Sequence, residues 1–409
     1  MSDRKIVILG LGMQGRAALY DVFHNTDAGH ILVADNRPDV DDVVDEYSGG
    51  RVESLRFDAA NESDLAAAMR GADVVVEALP GVMAISAGKA TAEMGVNIVS
   101  SMYYINPSEQ DPRKVRAMEA EVDRLDKESK KRGITILTEF GLDPGIDLVL
   151  GARALSELDE VMEFHSYGAG LPELEVADNP LKYKFSWSAI GVMRAYLRPA
   201  WVIRRGRIVE VGARDMFAPE NMHILEVDEI DSPLECYPNG NSVHYAKVFG
   251  LEGSVREMGR YGFRYPGHCA FWEKIARSGF LEEKPIAVGK TIVSPVAFTA
   301  ALLESQDQFQ YSDAERDITL VRVDVRGKKS GKRKRIVYQL IDRRDLGTGF
   351  TAMQRTVGFM MGLGARFILD GRLPSGVLSP MDVPYDWVVQ GLESFGMKVT
   401  RKELAWDEA

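Results

Sequence analysis

Ile6-Val7-Ile8-Leu9-Gly10-Leu11-Gly12-Met13-Gln14-Gly15-Arg16 is the stretch whose reading decides the fold. Four apolar residues in a row read as a strand buried on both faces. Glycines then follow at GxGxxG spacing, and Ala17-Ala18-Leu19-Tyr20-Asp21-Val22-Phe23 continues as a helix. Each glycine has a mechanical task. Gly10 permits the tight turn, Gly12 lets the backbone approach a pyrophosphate, and Gly15 lets the helix sit close to the strand with its N-terminus aimed at the phosphate charge. Met13 and Gln14 share that turn. A glycine-rich turn alone is a weak signal, because an ordinary strand-turn-helix can carry one. Here the context is present. A second strand, Ile31-Leu32-Val33-Ala34, ends at Asp35, at the expected distance of roughly 20 residues past the turn. A carboxylate there accepts hydrogen bonds from a ribose diol and favours NAD. Arg37, just beyond Asn36, can hold a 2′-phosphate and pulls toward NADP. The expected cofactor is NAD or NADP.

Working outward, 409 residues are too many for one typical domain, so two or three are expected. With 45% hydrophobic and 27% charged residues, the composition is that of an ordinary globular protein. A formal net charge of -11 argues against nucleic-acid partners. The cysteines, Cys236 and Cys269, cannot build a disulfide framework, so a reducing compartment is expected. No signal-peptide pattern precedes the first strand, and the apolar run Val357 to Leu369 is short and contains Arg366. The expectation is a cytoplasmic protein with no membrane partner.

Residues 1–140 alternate strand and helix patterns, the signature of a doubly wound parallel sheet. Val52 to Phe57, Val74 to Leu79, Asn97 to Val99 and Ile134 to Leu137 read as further strands. Asn61 caps the helix that follows the third strand, and a charged helix from Asp111 to Arg132 stops at Gly133. In such sheets ligands bind beyond the carboxyl ends of the strands. Leu79, Pro80 and Ser100 are therefore cofactor candidates, with Ser101, Met102 and Tyr103 beside the substrate. Asp58 falls where an adenine contact is placed, or is simply a polar loop residue.

The sixth strand runs into Gly141-Leu142-Asp143-Pro144-Gly145-Ile146-Asp147, where a sharp turn marks a domain boundary. The middle of the chain changes character. Thr319 to Val325 alternates with its valines on one face, and Ile336 to Ile341 answers it across a glycine-containing turn. That hairpin makes residues 141–350 an α+β domain with a mixed sheet. The basic run Arg326 to Arg335 reads as a hairpin tip that keeps strand edges solvated. Thr351 to Met361 reads as a buried helix within a C-terminal helical segment, 351–409.

Several of these stretches together resemble the saccharopine dehydrogenase family. They are Gly10 to Gly15, Gly141 to Asp147, Tyr167 to Pro172, Asn179 to Ser188, Tyr237-Pro238-Asn239 and Phe263-Arg264-Tyr265-Pro266-Gly267. The resemblance implies a Rossmann domain, a substrate domain on a mixed sheet, C-terminal helices that return to the nucleotide domain, and a homodimer. It implies reversible hydride transfer between a C–N bond of an amino acid and a nicotinamide, as in the splitting of saccharopine to glutamate and aminoadipate semialdehyde. The chain also departs from the saccharopine pattern. Gly240 follows Tyr237-Pro238-Asn239 where an arginine is usual, and Met102-Tyr103 follows Ser100-Ser101 where Ser-Tyr is usual. His268 and Thr351 to Thr356 are similar instead to lysine 6-dehydrogenase, and a carboxynorspermidine-type dehydrogenase is a further alternative.

That chemistry needs a base for the amine and for water, and a cation for the substrate carboxylate. Asp143, on a tight turn past a strand, is a candidate catalytic and substrate-facing carboxylate, or a cap of the next helix. Tyr103 is a candidate hydrogen-bond donor or a core residue. His268 is the acid/base candidate, or a structural histidine. Arg264 is the candidate carboxylate anchor, with Lys182 and Lys184 as substitutes. No residues have metal-ligand spacing.

Overall fold

The computed structural model describes residues 2–47, 49–109 and 111–406. The chain divides into two compact units, Met1–Val149 with Gln354–Gly396, and Leu150–Met353 with Met397–Ala409. Residues 141–149 thus stay with the first unit, and the end of the chain belongs to the second.

In the first unit β1 (Ser2–Leu9), α1 (Met13–Asn25), β2 (Ala28–Asp35), α2 (Val40–Asp45), β3 (Val52–Arg56), α3 (Glu62–Met69), β4 (Val74–Glu77), α4 (Ala84–Met94), β5 (Asn97–Ser100), α5 (Pro112–Arg132) and β6 (Thr135–Leu137) alternate. All strands pair in parallel, in the order β3-β2-β1-β4-β5-β6, with Gly376–Leu378 added beside β6. This is the doubly wound Rossmann order, whose direction of growth reverses between β1 and β4. Local chemistry sets the ends. Asn61 accepts from Ser63 N at the start of α3, and Asp111 caps α5 with Pro112 at its first position. Ile6, Val7, Ile8 and Leu9 are fully buried because both faces are covered. Val7, Leu9, Val75 and Ile98 pack under α3, α4 and α5. On the other face the returning segment Gln354–Gly396 packs. Its glycines allow the approach: a Cβ on Gly358 would lie 2.5 Å from Ala17 Cβ, and one on Gly364 2.8 Å from Val99.

The chain enters the second unit through α6 (Ile146–Ser156). There follow β7 (Glu160–Pro172), α7 (Ala189–Ala195), β8 (Ala200–Arg204), β9 (Arg207–Val211), β10 (His223–Leu225), β11 (Leu234–Pro238), α8 (Ser242–Val248), β12 (Glu257–Arg264) and α9 (His268–Arg277). A small hairpin of β13 (Ile286–Val288) and β14 (Thr291–Val293) precedes α10 (Pro295–Glu304), β15 (Asp317–Lys329) and β16 (Lys332–Arg343). The main sheet runs β10-β11-β12-β7-β15-β16 and ends in Lys398–Leu404, with β8 and β9 attached at β12. Only β12 and β7 pair in parallel, so the sheet is mixed. Leu181, Tyr183, Phe185, Tyr196, Tyr237 and Trp272 form the core under α7, α9 and α10.

The basic run closes at an exposed hairpin tip, as expected: the β15–β16 ladder continues to Lys329↔Lys332 and leaves a two-residue turn, with residues 329–333 exposed. Ser330 and Gly331 both have positive φ (49° and 76°), as a tight hairpin turn demands. Below the tip the strands are flanked, β15 by β7 up to Lys328 and β16 by Lys398–Leu404 from Arg335 on, and the bases meet acids. Lys328 pairs with Glu160, Lys329 with Asp159 and Arg326 with Glu163, while Arg335 is buried against Asp324 at 2.6 Å. One expectation needs correction: the C-terminal segment is not wholly helical. Gly376–Leu378 joins the first sheet and Lys398–Leu404 the second. Both strands are short or highly charged, so their pattern carried little signal, and pairing with distant residues makes them.

Candidate active site

In the first unit the glycine turn lies at the switch between β1 and β4. Gly10 has φ +91°, and a Cβ there would sit 2.7 Å from Ala78 O. A Cβ on Gly15 would lie 1.9 Å from Gly10 O. Gly12 is different: a Cβ there meets nothing within 4 Å. Gly12 is also the N-cap of α1, and no side chain caps that end. The open space therefore faces the positive end of a helix of 13 residues, with Met13 exposed beside it. That cradle fits a pyrophosphate. Asp35, at the end of β2, takes Leu11 N on one carboxylate oxygen and Arg37 N on the other at 2.8 Å. Arg37 Nη1 donates to Leu11 O at 2.8 Å, and Asn36 is exposed between the two. Asp58, exposed past β3, accepts from Ala60 N at 2.9 Å and so holds its own turn.

Beyond β4, β5 and β6, three loops are tied together. Glu77 is fully buried at the end of β4 and accepts from Leu79 N at 2.7 Å and from Ser100 Oγ at 2.5 Å. Ser100 Oγ in turn takes Met102 N at 2.9 Å. Phe140 N donates to Ser100 O and Glu139 N to Met102 O, at 2.9 and 3.1 Å. Ser101 is buried against Gly141, and Met102 Sδ lies against Gly81, next to exposed Pro80. The structure thus gathers Leu79, Ser100, Ser101, Met102 and Tyr103 with the Glu139–Asp147 turn. Tyr103 and Asp143 are both half-buried on these loops. Burial pushes Glu77 up to about 7. It does the same to Asp147, which is buried and accepts from Gly145 N at 2.9 Å. Neither carboxylate was singled out from the sequence. A glutamate closing the otherwise apolar Val74-Val75-Val76 run was the available signal.

The second unit holds a buried cation. Arg264, at the end of β12, is 5% exposed. Its guanidinium lies 4.6 Å from the Tyr183 ring centroid, with Tyr196 and Tyr237 completing an aromatic cage. Nε donates to Tyr196 Oη at 3.0 Å and Nη1 to Phe263 O at 2.7 Å. No carboxylate among the described residues lies within ion-pair distance of it. Lys184 is different, because Glu315 and Asp178 hold it, at 2.6 and 3.7 Å. Lys182 is exposed. His268 is 2% exposed and 2.9 Å from Tyr196 Oη. Tyr196 Oη accepts from Arg264 Nε and is hydrogen-bonded to His268 Nε2, while His268 Nδ1 lies 3.5 Å from Leu181 O. Burial, then the Arg264 charge, keeps this imidazole neutral far below its ordinary range. The structure places His268 behind Tyr196 of the cage, closed off from water.

No group of three or more potential metal ligands occurs among the described residues, and none of their helices is long and apolar enough to cross a membrane.

A Rossmann unit with an open pyrophosphate cradle, joined to a mixed-sheet unit with a caged arginine, defines a dinucleotide-binding α/β protein with a separate second domain. Residues 6–137 match the family model described as saccharopine dehydrogenase NADP binding domain, and residues 141–397 the saccharopine dehydrogenase C-terminal domain. The chain belongs to the saccharopine dehydrogenase family. It is 25% identical over 449 residues to the alpha-aminoadipic semialdehyde synthase of Arabidopsis thaliana, covering 91% of this chain but 40% of that protein. It is 24% identical over 439 residues to a saccharopine dehydrogenase [NADP(+), L-glutamate-forming] of Saccharomyces cerevisiae, covering 92% of this chain and 94% of that one. The apo structure of saccharopine dehydrogenase (L-Glu forming) from Saccharomyces cerevisiae shares the fold, with a TM-score of 0.82 at 24% identity over 98% of this chain and 100% of that one. The chain therefore spans less than half of the synthase and nearly all of the yeast dehydrogenase.

Proposed function

We propose that this chain is an NAD(P)-dependent oxidoreductase acting on the C–N bond of an amino acid, of the saccharopine dehydrogenase type. It splits saccharopine to glutamate and aminoadipate semialdehyde, or runs in reverse. The observation that carries the substrate class is Arg264. A buried guanidinium with no carboxylate of its own is costly unless an anion reaches it, and a substrate carboxylate is such an anion. The cradle at Gly12 supports the dinucleotide, and the names of the relatives support the reaction.

When bound at this cradle, the nicotinamide would supply hydride exchange with the carbon beside the secondary amine. The protein does the rest. Gly10, Gly12, Met13, Gln14 and Gly15 hold the pyrophosphate, and Asp35 and Asn36 meet the ribose. Asp143 takes the amine proton and activates the water that splits the imine, and Tyr103 donates a hydrogen bond to the substrate. Glu77 holds Leu79 N and Ser100 Oγ, which fixes the loops that carry Ser101, Met102 and Tyr103. His268 orients Tyr196 against Arg264 and moves no proton.

The enzyme works as a cytoplasmic homodimer in this reading. The family resemblance supports the dimer, and two buried free cysteines support a reducing compartment. The test is to supply saccharopine and lysine in parallel with NAD and NADP and to assay glutamate and ammonia. Glutamate from saccharopine supports the proposal. Ammonia from lysine transfers it to a lysine 6-dehydrogenase, and turnover of neither refutes both.

A further inference from the structure

Beyond β2 the chain carries four charges in one network. Arg37 donates through Nε and Nη2 to both carboxylate oxygens of Asp39, the second at 2.8 Å, and through Nη1 to Leu11 O. Arg16, on the first turn of α1, donates to the same Asp39 Oδ2 at 3.1 Å. Asp35 stands alongside with each oxygen taking one backbone N–H.

We infer that Asp39 is the residue that makes this site select NAD over NADP, by holding Arg37 and Arg16 away from a ribose 2′-phosphate. This rests on the dinucleotide reading of the glycine cradle. A carboxylate oxygen accepts more than one hydrogen bond, so Asp35 retains acceptor sites for the two hydroxyls of a ribose diol. A phosphate dianion meets a different field. It finds two carboxylates, Asp35 and Asp39, whose charge offsets that of the two arginines, both of which are held on Asp39. The planar fork of Arg37 matches a phosphate as well as it matches a carboxylate, but both of its parallel N–H vectors are engaged. The pairing with Arg37 also holds the Asp39 carboxyl below its ordinary range, so the lock stays charged near neutrality. The family model carries NADP in its description, so the prediction runs against the relatives and is sharp.

The experiment is equilibrium titration of the full chain with NADH and NADPH, read by nucleotide fluorescence. Wild type should bind NADH at least about tenfold more tightly. Asp39→Ala should tighten NADPH by about tenfold or more, the yield of one freed arginine fork, with NADH within about threefold. The double variant Asp39→Ala/Arg37→Ala should lose that gain. Asp39→Asn, which keeps the shape and removes the charge, serves if the alanine variant fails to fold. Arg37→Ala alone should leave NADPH affinity unchanged, because Arg37 is already engaged. Tighter NADPH binding by wild type, an unmoved ratio in both Asp39 variants, or a tenfold loss of NADPH affinity in Arg37→Ala overturns the inference. Failure of wild type to bind either nucleotide overturns the dinucleotide reading itself, and this inference with it.

Discussion

Replacing Gly12 by valine should abolish dinucleotide binding and leave the fold intact, whereas Gly15→Ala should damage the fold. Gly12 has φ -68° and ψ -170°, a backbone that any L-residue adopts. No protein atom lies within 4 Å of the position its Cβ would take. The change in folding stability should therefore stay within about 1 kcal/mol. At Gly15 a Cβ would stand 1.9 Å from Gly10 O and 2.9 Å from Gly10 C. Both are backbone atoms, so α1 must retreat by roughly 1.5 Å to restore ordinary contact, an overpacking that costs about 1–3 kcal/mol. The open space at Gly12 is where backbone N–H groups reach the pyrophosphate. Side-chain bulk there removes about two charge-assisted hydrogen bonds, about 3 kcal/mol or more, which is about a hundredfold or more in Kd. Urea unfolding and a fluorescence titration with NADH, on both variants and wild type, measure the two effects. A Gly12→Val protein that binds NADH as wild type does refutes the cradle. Equal destabilisation by both substitutions refutes the claim that Gly12 faces open space.

Glu77 gives a pH test. Burial raises its carboxyl to about 7 in the folded protein, against about 4.3 in the unfolded chain. Between those values the folded state holds a proton that the unfolded state lacks. Its contribution is therefore full at low pH and is lost as pH rises through 7. Wild type should lose about 2–3 kcal/mol relative to Glu77→Gln between pH 5 and pH 8 in urea unfolding, and parallel curves would sink the assignment. On the β15–β16 hairpin, Asp324→Ala takes from buried Arg335 the carboxylate that its Nε and Nη2 share and should cost about 3–5 kcal/mol. Lys329→Ala breaks only an exposed pair with Asp159 and should cost under about 1 kcal/mol; equal losses would contradict the burial argument. Arg264→Met should raise the KM for a carboxylate substrate about a hundredfold and leave the Kd for NADH unmoved. A shift in the nucleotide Kd instead would remove Arg264 from the substrate role.

Much of the first unit was legible because its signals are local. The apolar run of β1, the glycine spacing and the caps at Asn61 and Asp111 each act within a few residues, so linear order displays them. The alternation of Val321, Val323 and Val325 announced its hairpin for the same reason. The site was less legible. Arg264, Lys182 and Lys184 are equivalent cations on paper, yet Lys184 finds Glu315, 131 residues away, while Arg264 finds aromatic rings, the Tyr196 hydroxyl and a carbonyl. His268 carries the residue type of a proton shuttle, and burial beside Arg264, which lowers its basicity, is not visible in the sequence.

The sequence by itself determined the Rossmann half of this protein, its glycine cradle and the family to which it belongs, since backbone freedom and hydrophobic period are properties of neighbouring residues. Tertiary structure alone decided which charges are engaged and which stay available. It brought Arg16 to Asp39, buried Glu77 between two strand ends, and carried Lys398–Leu404 to the edge of the second sheet. The physical reason is that a charge's pKa and pairing depend on the dielectric and on partners brought close by folding, and neither is encoded in the period or spacing of the chain around it.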